Sequence, residues 1–295
     1  MTLNIALIGA GRIGTVHAQA IMTAIPDANI VAVADFYAAS ASSLATEYNI
    51  AFHTDNHLEA INYQTVDAVI IASSTDTHAP FIIDAAQAGK HIFCEKPIAA
   101  DLAKIDQALS AVAAAGVQLQ IGFNRRFDPT CARIKQAIQT DEIGTPQLLH
   151  IISRDPSPPP IDYIKVSGGM FFDMTIHDFD MARFLFGDVE EIYATGAVLV
   201  DEAIGVAGDI DTAIITLKFA NGAIGTIDNS RQAVYGYDQR VEAFGSKGSA
   251  TNTNLYPDAV SISNAQRVAR ASLPMNFFLE RYMDSYRIEL QAFVD

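Results

Sequence analysis

Short apolar runs alternate with longer amphipathic ones through the first 122 residues. Leu3–Ile8, Asn29–Ala34, Val66–Ala72, His91–Cys94 and Gln118–Gly122 read as strands, with a short extended piece at Ala51–His53. Between them Ile13–Ala24, Ala38–Tyr48, Ala79–Ala88 and Leu102–Ala115 read as helices, the last two stopped by Gly89 and Gly116. Strands apolar on both sides that alternate with helices predict an α/β domain: a doubly wound parallel sheet covered on both faces.

The pattern changes near residue 124. Asp128–Gln139 reads as a helix, Gln147–Ser153 as a strand, and Asp155–Pro160 as a loop too rich in proline to be helical. Met170–Phe186 predicts one long helix. Ile192–Val200, Asp211–Phe219, Ala223–Ser230 and Tyr237–Phe244 then read as longer strands. Tight turns at Asn221-Gly222 and Ser246-Lys247-Gly248 predict hairpins of a mostly antiparallel, open sheet. Two domains are expected, 1–123 and an α+β domain over 124–295.

Composition narrows the class. Of 295 residues half are hydrophobic and 18% charged, so each domain can bury a core of its own. The net charge of −15 argues against nucleic acid and anionic membranes as partners. No apolar run is long enough for a bilayer, and Met1-Thr2-Leu3-Asn4 enters a strand with no basic leader, so a cytoplasmic location is expected. Cys94 and Cys131 stand apart, fit a reducing compartment and give no zinc spacing.

Two segments carry candidate chemistry. Gly9-Ala10-Gly11-Arg12-Ile13-Gly14 places three glycines between a strand and a helix. The first permits a tight turn, the second lets a pyrophosphate approach the backbone, and the third lets helix and strand pack closely. Asp35 closes the second strand about 20 residues after Gly14, where a carboxylate accepts bonds from ribose hydroxyls and repels a 2′-phosphate. Phe36 and Tyr37 follow it with no cation to offset that repulsion, so NAD is expected rather than NADP. Ser73-Ser74-Thr75, after the fourth strand, are candidates to line the cleft. Lys96, in Cys94-Glu95-Lys96-Pro97, leaves the carboxyl edge of the sheet, where ligands of open α/β sheets bind.

On the Met170–Phe186 helix, Asp173 and His177 are four residues apart and share a face, with Asp180 a further turn along. Such a pair is either a satisfied polar interface or a working dyad. No third ligand has convincing spacing, so no metal is expected. Read with Lys96, the set suits hydride transfer from a secondary alcohol. His177 would accept the hydroxyl proton, Asp173 would orient it or bind substrate, and Lys96 would stabilise charge on the oxygen.

The glycine turn, Glu95-Lys96-Pro97, Gly122-Phe123-Asn124-Arg125-Arg126-Phe127 and Asp173-x-x-x-His177 together resemble the glucose–fructose oxidoreductase/inositol dehydrogenase/rhizopine-catabolism (Gfo/Idh/MocA) family over the whole chain. The resemblance implies a Rossmann domain followed by an α/β domain whose open sheet builds homo-oligomers, dimers or tetramers. It implies Lys96, Asp173 and His177 as the catalytic set. The cofactor set is then Gly9, Gly11, Arg12, Ile13, Gly14, Asp35, Ser73, Ser74, Thr75, His78, Glu95 and Lys96. Ser153-Arg154-Asp155-Pro156, Ser167–Phe171 and Tyr235–Arg240 look most like the inositol 2-dehydrogenase branch. That likeness implies NAD-dependent oxidation of myo-inositol to 2-keto-myo-inositol (scyllo-inosose) in inositol catabolism, with substrate contacts from Arg125, Asp155 and Tyr235 beside the catalytic three. The competing expectations are a dehydrogenase of another cyclic polyol or an aldose, and a non-catalytic dinucleotide sensor. The chain stops in helical pattern at Ile288–Asp295, where family members usually continue, so a final helix is expected to be missing.

Overall fold

The computed structural model describes residues 2–295 and divides into two compact units, Met1–Asn124 with Met283–Asp295, and Arg125–Tyr282. The second unit therefore stops at Tyr282, and the last residues of the chain pack with the first.

In the first unit, β1 (Leu3–Ile8), β2 (Ala28–Ala34), β3 (Phe52–Thr54), β4 (Ala68–Ile71), β5 (His91–Glu95) and β6 (Leu119–Gly122) form one parallel sheet in the order β3-β2-β1-β4-β5-β6. The connections are α1 (Arg12–Ala24), α2 (Ala38–Tyr48), α3 (His57–Ile61), α4 (Thr75–Gln87) and α5 (Leu102–Ala115). Side chains leave a strand on alternate faces, and both faces here are buried. Ile5, Leu7, Ala68, Ile70 and Phe93 pack with residues of α1 and α2, whereas Ala6, Ile8, Val69, Ile71, Ile92 and Cys94 pack with residues of α3, α4 and α5.

α3 has no counterpart among the predicted elements. It is one short turn, started by Asn56, whose side chain accepts from Leu58 N. α4 starts at Thr75, four residues before the predicted Ala79. Pro80 lies inside it, giving up one backbone bond, so Thr75 and His78 are helical rather than loop residues.

The winding leaves the α1/α2 face bare over β5 and β6. The final helix, α10 (Phe278–Val294), covers it from Met283 onward. Leu290 is fully buried in the same cluster as Phe93, Phe293 meets the Phe93 ring edge-on at 5.8 Å, and Gln120 Nε2 donates to the Glu289 carbonyl at 3.0 Å.

In the second unit, β7 (Pro146–Arg154), β8 (Val189–Ala197), β9 (Thr212–Phe219), β10 (Ile224–Ser230), β11 (Asp238–Gly245) and β12 (Gly248–Thr251) form a sheet ordered β12-β11-β7-β10-β9-β8. Every neighbouring pair is antiparallel except β7 with β10. The two predicted hairpins are β9–β10 and β11–β12. Along β9, Ala213, Ile215, Leu217 and Phe219 are buried while Ile214, Thr216 and Lys218 are exposed, the alternation of a sheet with one covered face. That face packs against α6 (Pro129–Gln139) and the long helix, through Ile134, Met181, Leu185 and Phe186. Short helices α7 (Ile161–Ile164) and α9 (Glu202–Val206) and a small exposed ribbon, β13 (Ile262–Asn264) with β14 (Arg267–Arg270), complete the unit.

The long helix is not uniform. Phe171–Thr175 is a π-type turn, and the regular α-helix α8 runs Ile176–Phe186. The wide turn holds Asp173, and such turns recur at functional sites.

Leu290→Ala is expected to destabilise the first unit by about 2–4 kcal/mol, because it empties a fully buried site between α10 and the sheet. Urea unfolding followed by far-UV circular dichroism checks this, and an unchanged midpoint would show that α10 does not hold the sheet.

Candidate active site

The glycine turn has the geometry its spacing predicts. Gly9 has φ +101°, and a Cβ there would lie 2.5 Å from the Ala72 carbonyl oxygen; one on Gly14 would lie 1.9 Å from the Gly9 oxygen. A Cβ on Gly11 would meet nothing within 4 Å, so the backbone there is open to a close-approaching group. α1 begins at Arg12 without a side-chain cap, which leaves its first N–H groups to an anion. Asp35 Oδ2 accepts from Ala10 N at 2.7 Å and Oδ1 from Tyr37 N at 2.8 Å, so the carboxylate that would meet the ribose also braces the turn. Each oxygen keeps a second lone pair for a hydroxyl. Phe36 and Tyr37 are exposed beside it. These residues fit a dinucleotide without a 2′-phosphate.

Further along the same sheet edge, Ser73 Oγ and Thr77 Oγ1 bond at 2.6 Å, and Thr77 Oγ1 donates to the Ser74 carbonyl. His78 is buried. Its Nδ1 lies 2.7 Å from the Pro97 carbonyl and its Nε2 3.1 Å from that of Ser73. It therefore ties the Ser73–Thr75 segment to the Lys96-Pro97 peptide, which is cis, with both ring nitrogens occupied on backbone. Glu95 is likewise engaged within the unit, at 2.8 Å from His17 Nε2. Arg12 is exposed, Ile13 and Lys96 half-buried.

The second unit holds a buried polar cluster around the long helix. Asp173 Oδ1 accepts from the Tyr163 hydroxyl at 2.8 Å and Oδ2 from Arg231 Nη1 at 3.1 Å. Arg231 is fully buried, and its Nη2 reaches Asp209 Oδ2 at 3.4 Å; Asp209 Oδ1 in turn accepts from Met170 N. A buried guanidinium between two carboxylates is compensated, and it fixes the orientation of both. His177, half-buried, follows Asp173 by four residues, in the first turn of α8.

Next to His177, Asp178 is fully buried. It accepts from Arg125 Nη1 at 2.6 Å and from Asn229 Nδ2 at 2.8 Å. Ser153, Gln239 and Thr175 extend this network. Arg125 is thus fixed inside the unit. Tyr235 donates to Asp238 at 2.6 Å and accepts from Arg154 Nη1. Asp180, which sequence spacing put on the same face as Asp173, takes a bidentate grip from Arg126 at 2.6 and 2.8 Å.

Asp155 stands among these charges. Burial pushes its carboxyl up to about 6, with Asp173 and Asp178 adding to the rise and Arg231 and Arg125 opposing it. Sequence reasoning missed Arg231, Tyr163, Asp178, Asn229 and His17. Asp178 had a signal, as a carboxylate in an apolar helix next to His177; Arg231, Asn229 and His17 are identified only by partners distant in sequence, and Tyr163 lies in a stretch with no periodicity to place it.

Among the described residues no three His, Cys, Asp or Glu side chains gather as a metal site, and no helix is long and apolar enough to cross a membrane.

Comparison with known proteins decides the family. Residues 3–123 match the oxidoreductase family with an NAD-binding Rossmann fold, and residues 131–251 match the GFO/IDH/MocA C-terminal domain. The chain belongs to the GFO/IDH/MocA oxidoreductases. An uncharacterized oxidoreductase of Bacillus subtilis is 52% identical over 290 residues, covering 98% of this chain and 84% of that protein. A myo-inositol 2-dehydrogenase of Thermotoga maritima is 48% identical over 293 residues, covering 99% and 87%. The solved structure of a scyllo-inositol dehydrogenase from Lactobacillus casei with bound NAD(H) and scyllo-inositol matches with a TM-score of 0.92 at 28% identity, over 100% of this chain and 88% of that one. As a GFO/IDH/MocA member the chain is an NAD-dependent oxidoreductase, and its glycine turn and Asp35 are the features that fit NAD.

The Asp155 shift gives a pH test. Its folded-state value near 6 lies above the unfolded value of about 3.9, so its stabilising contribution is complete below about pH 4 and is lost as pH rises through 6. Asp155→Asn cannot ionise. It should melt higher than the parent at pH 7.5, by on the order of 2 kcal/mol, with the difference vanishing near pH 4. Calorimetry at the two pH values checks this; a difference independent of pH would remove the assigned shift.

Proposed function

We propose that this chain oxidises a ring CH–OH of an inositol, converting myo-inositol to 2-keto-myo-inositol in inositol catabolism. The observation that carries this reading is Asp173 held through both carboxylate oxygens by Tyr163 and Arg231, four residues ahead of His177. A fixed carboxylate beside an imidazole suits removal of a hydroxyl proton. The buried donors and acceptors around it suit a substrate that carries a hydroxyl on every ring carbon, since a site that bonds each hydroxyl rejects analogues lacking one.

The roles follow. NAD, when bound, takes up the hydride. His177 accepts the proton of the reacting hydroxyl on its ring, Asp173 orients that ring, and Lys96 Nζ stabilises negative charge on the oxygen. Asp155 and Tyr235 bind further hydroxyls. Arg125 contributes through Asp178, which it fixes next to His177. Gly11, Arg12, Ile13 and the Ser73–Thr75 segment line the cofactor, while Glu95 and His78 shape its surroundings. The myo isomer is preferred to the scyllo on the 48% identity to the Thermotoga enzyme. A non-catalytic sensor would have no use for Lys96, Asp173 and His177 together. The exposed sheet face bearing Ile214, Ile224 and Phe244 is the reason to propose a homo-oligomer, a dimer or tetramer; a cytoplasmic location is part of the same proposal.

The test is turnover of a polyol and sugar panel with NAD, read by nicotinamide absorbance. Myo-inositol is expected to give the highest kcat/KM, and turnover of glucose without any inositol would overturn the substrate assignment. Lys96→Ala should lower kcat about 100-fold or more, the scale of a lost oxyanion donor; unchanged kcat would remove that role.

A further inference from the structure

His17, fully buried and paired with Glu95, is used by none of the steps above. We propose that His17 is a positioning residue for Lys96, acting through Glu95. This inference rests on the catalytic role given to Lys96.

Glu95 is the last residue of β5, and Lys96 follows it directly. Glu95 shares its face of the sheet with Phe93, the face covered by α1 and α10, so its carboxylate is directed into the core and not along the sheet edge. Its side chain is only 13% exposed, where an unpaired charge is costly. His17 on α1 is fully buried and supplies the bond, Nε2 to Oε1 at 2.8 Å. Because a carboxylate only accepts, Nε2 carries the proton. Nδ1 is buried and has no hydrogen-bond partner among the described residues, which leaves the ring a single task.

The ring cannot turn away. Phe93 and Tyr286 meet it edge-on, with centroids at 5.2 and 5.8 Å. The carboxylate is equally confined. Gly122 pairs with Glu95 across β5 and β6, and a Cβ there would lie 3.0 Å from Glu95 Oε2. Glycine at this position leaves room for the carboxylate, which any larger residue would push aside by a few tenths of an ångström. His17 also stands on the helix whose first turn follows the glycine motif. The bond thus fixes the residue before Lys96 against the helix that receives the cofactor phosphates. A tenth of a nanometre of slack at a reacting group is enough to cost orders of magnitude in rate.

The experiment compares His17→Ala with His17→Gln, whose amide N–H can replace Nε2–H. Polyol turnover, NAD affinity and competitive acetylation of lysines across pH are measured on each. His17→Ala should lower kcat about tenfold or more, with KM and the NAD Kd within about threefold, because a misplaced lysine weakens the transition state more than the ground state. The labelling midpoint of Lys96 should move in His17→Ala, return in His17→Gln, and stay put for Lys90 and Lys104. If kcat and the Lys96 midpoint are those of the parent, or if NAD affinity falls in step with kcat and Gln restores neither, His17 is only a core residue and the proposal is overturned. Should the parent turn over no polyol, the substrate reading fails, and the Lys96 midpoint alone decides this one.

Discussion

A parallel sheet whose strands are apolar on both sides has to be covered on both, and in the first unit the local connections meet only part of that demand. α1 and α2 lie over one half of one face, α3 to α5 serve the other, and the area over β5 and β6 is left to residues that follow the entire second unit in sequence. The strand that ends in Glu95, just before Lys96, is the one this late helix covers. The placement of the Glu95-Lys96 segment therefore depends on packing between segments nearly two hundred residues apart.

The second unit solves a different problem, that of keeping charges inside. Arg231 and Asp178 are fully buried, and each is matched by opposite charge or by neutral donors at hydrogen-bond distance. Removing any one member would leave the others unsatisfied in a low-dielectric setting, so the cluster holds as a whole or not at all. That rigidity is what the proposed alcohol oxidation would need near His177. Asp155 stands at the margin of this balance, with two carboxylates and two guanidinium groups acting on it in opposite senses.

Much of the fold was legible because its signals are local. Leu3–Ile8, Leu102–Ala115 and the Asn221-Gly222 hairpin each announce themselves within a dozen residues, and Gly9, Gly14 and Asp35 meet at the spacing that chemistry requires. Legibility fails where geometry departs from the regular period or where the partner is remote. The π-type turn at Phe171–Thr175 leaves no mark in the hydrophobic pattern, and the separate partners of Asp173 and Asp180, Tyr163 with Arg231 for one and Arg126 for the other, are not readable from their spacing. His17 finds Glu95 across 78 residues and Arg231 finds Asp173 across 58, so neither could be singled out from its neighbours in sequence. Tyr163 sits only ten residues from Asp173, but a proline-rich loop and a one-turn helix give no periodicity from which to place its hydroxyl.

The position of α10 also sets an order of events during synthesis. The ribosome delivers all six strands of the first sheet before it delivers the helix that buries Phe93 and Leu290. Until then the nascent first unit carries an open apolar strip over β5 and β6, and cannot close around its own core. Completion of the cofactor-binding unit thus waits on translation of the other one. A chain interrupted anywhere in between leaves a sticky, half-covered sheet rather than a smaller working domain.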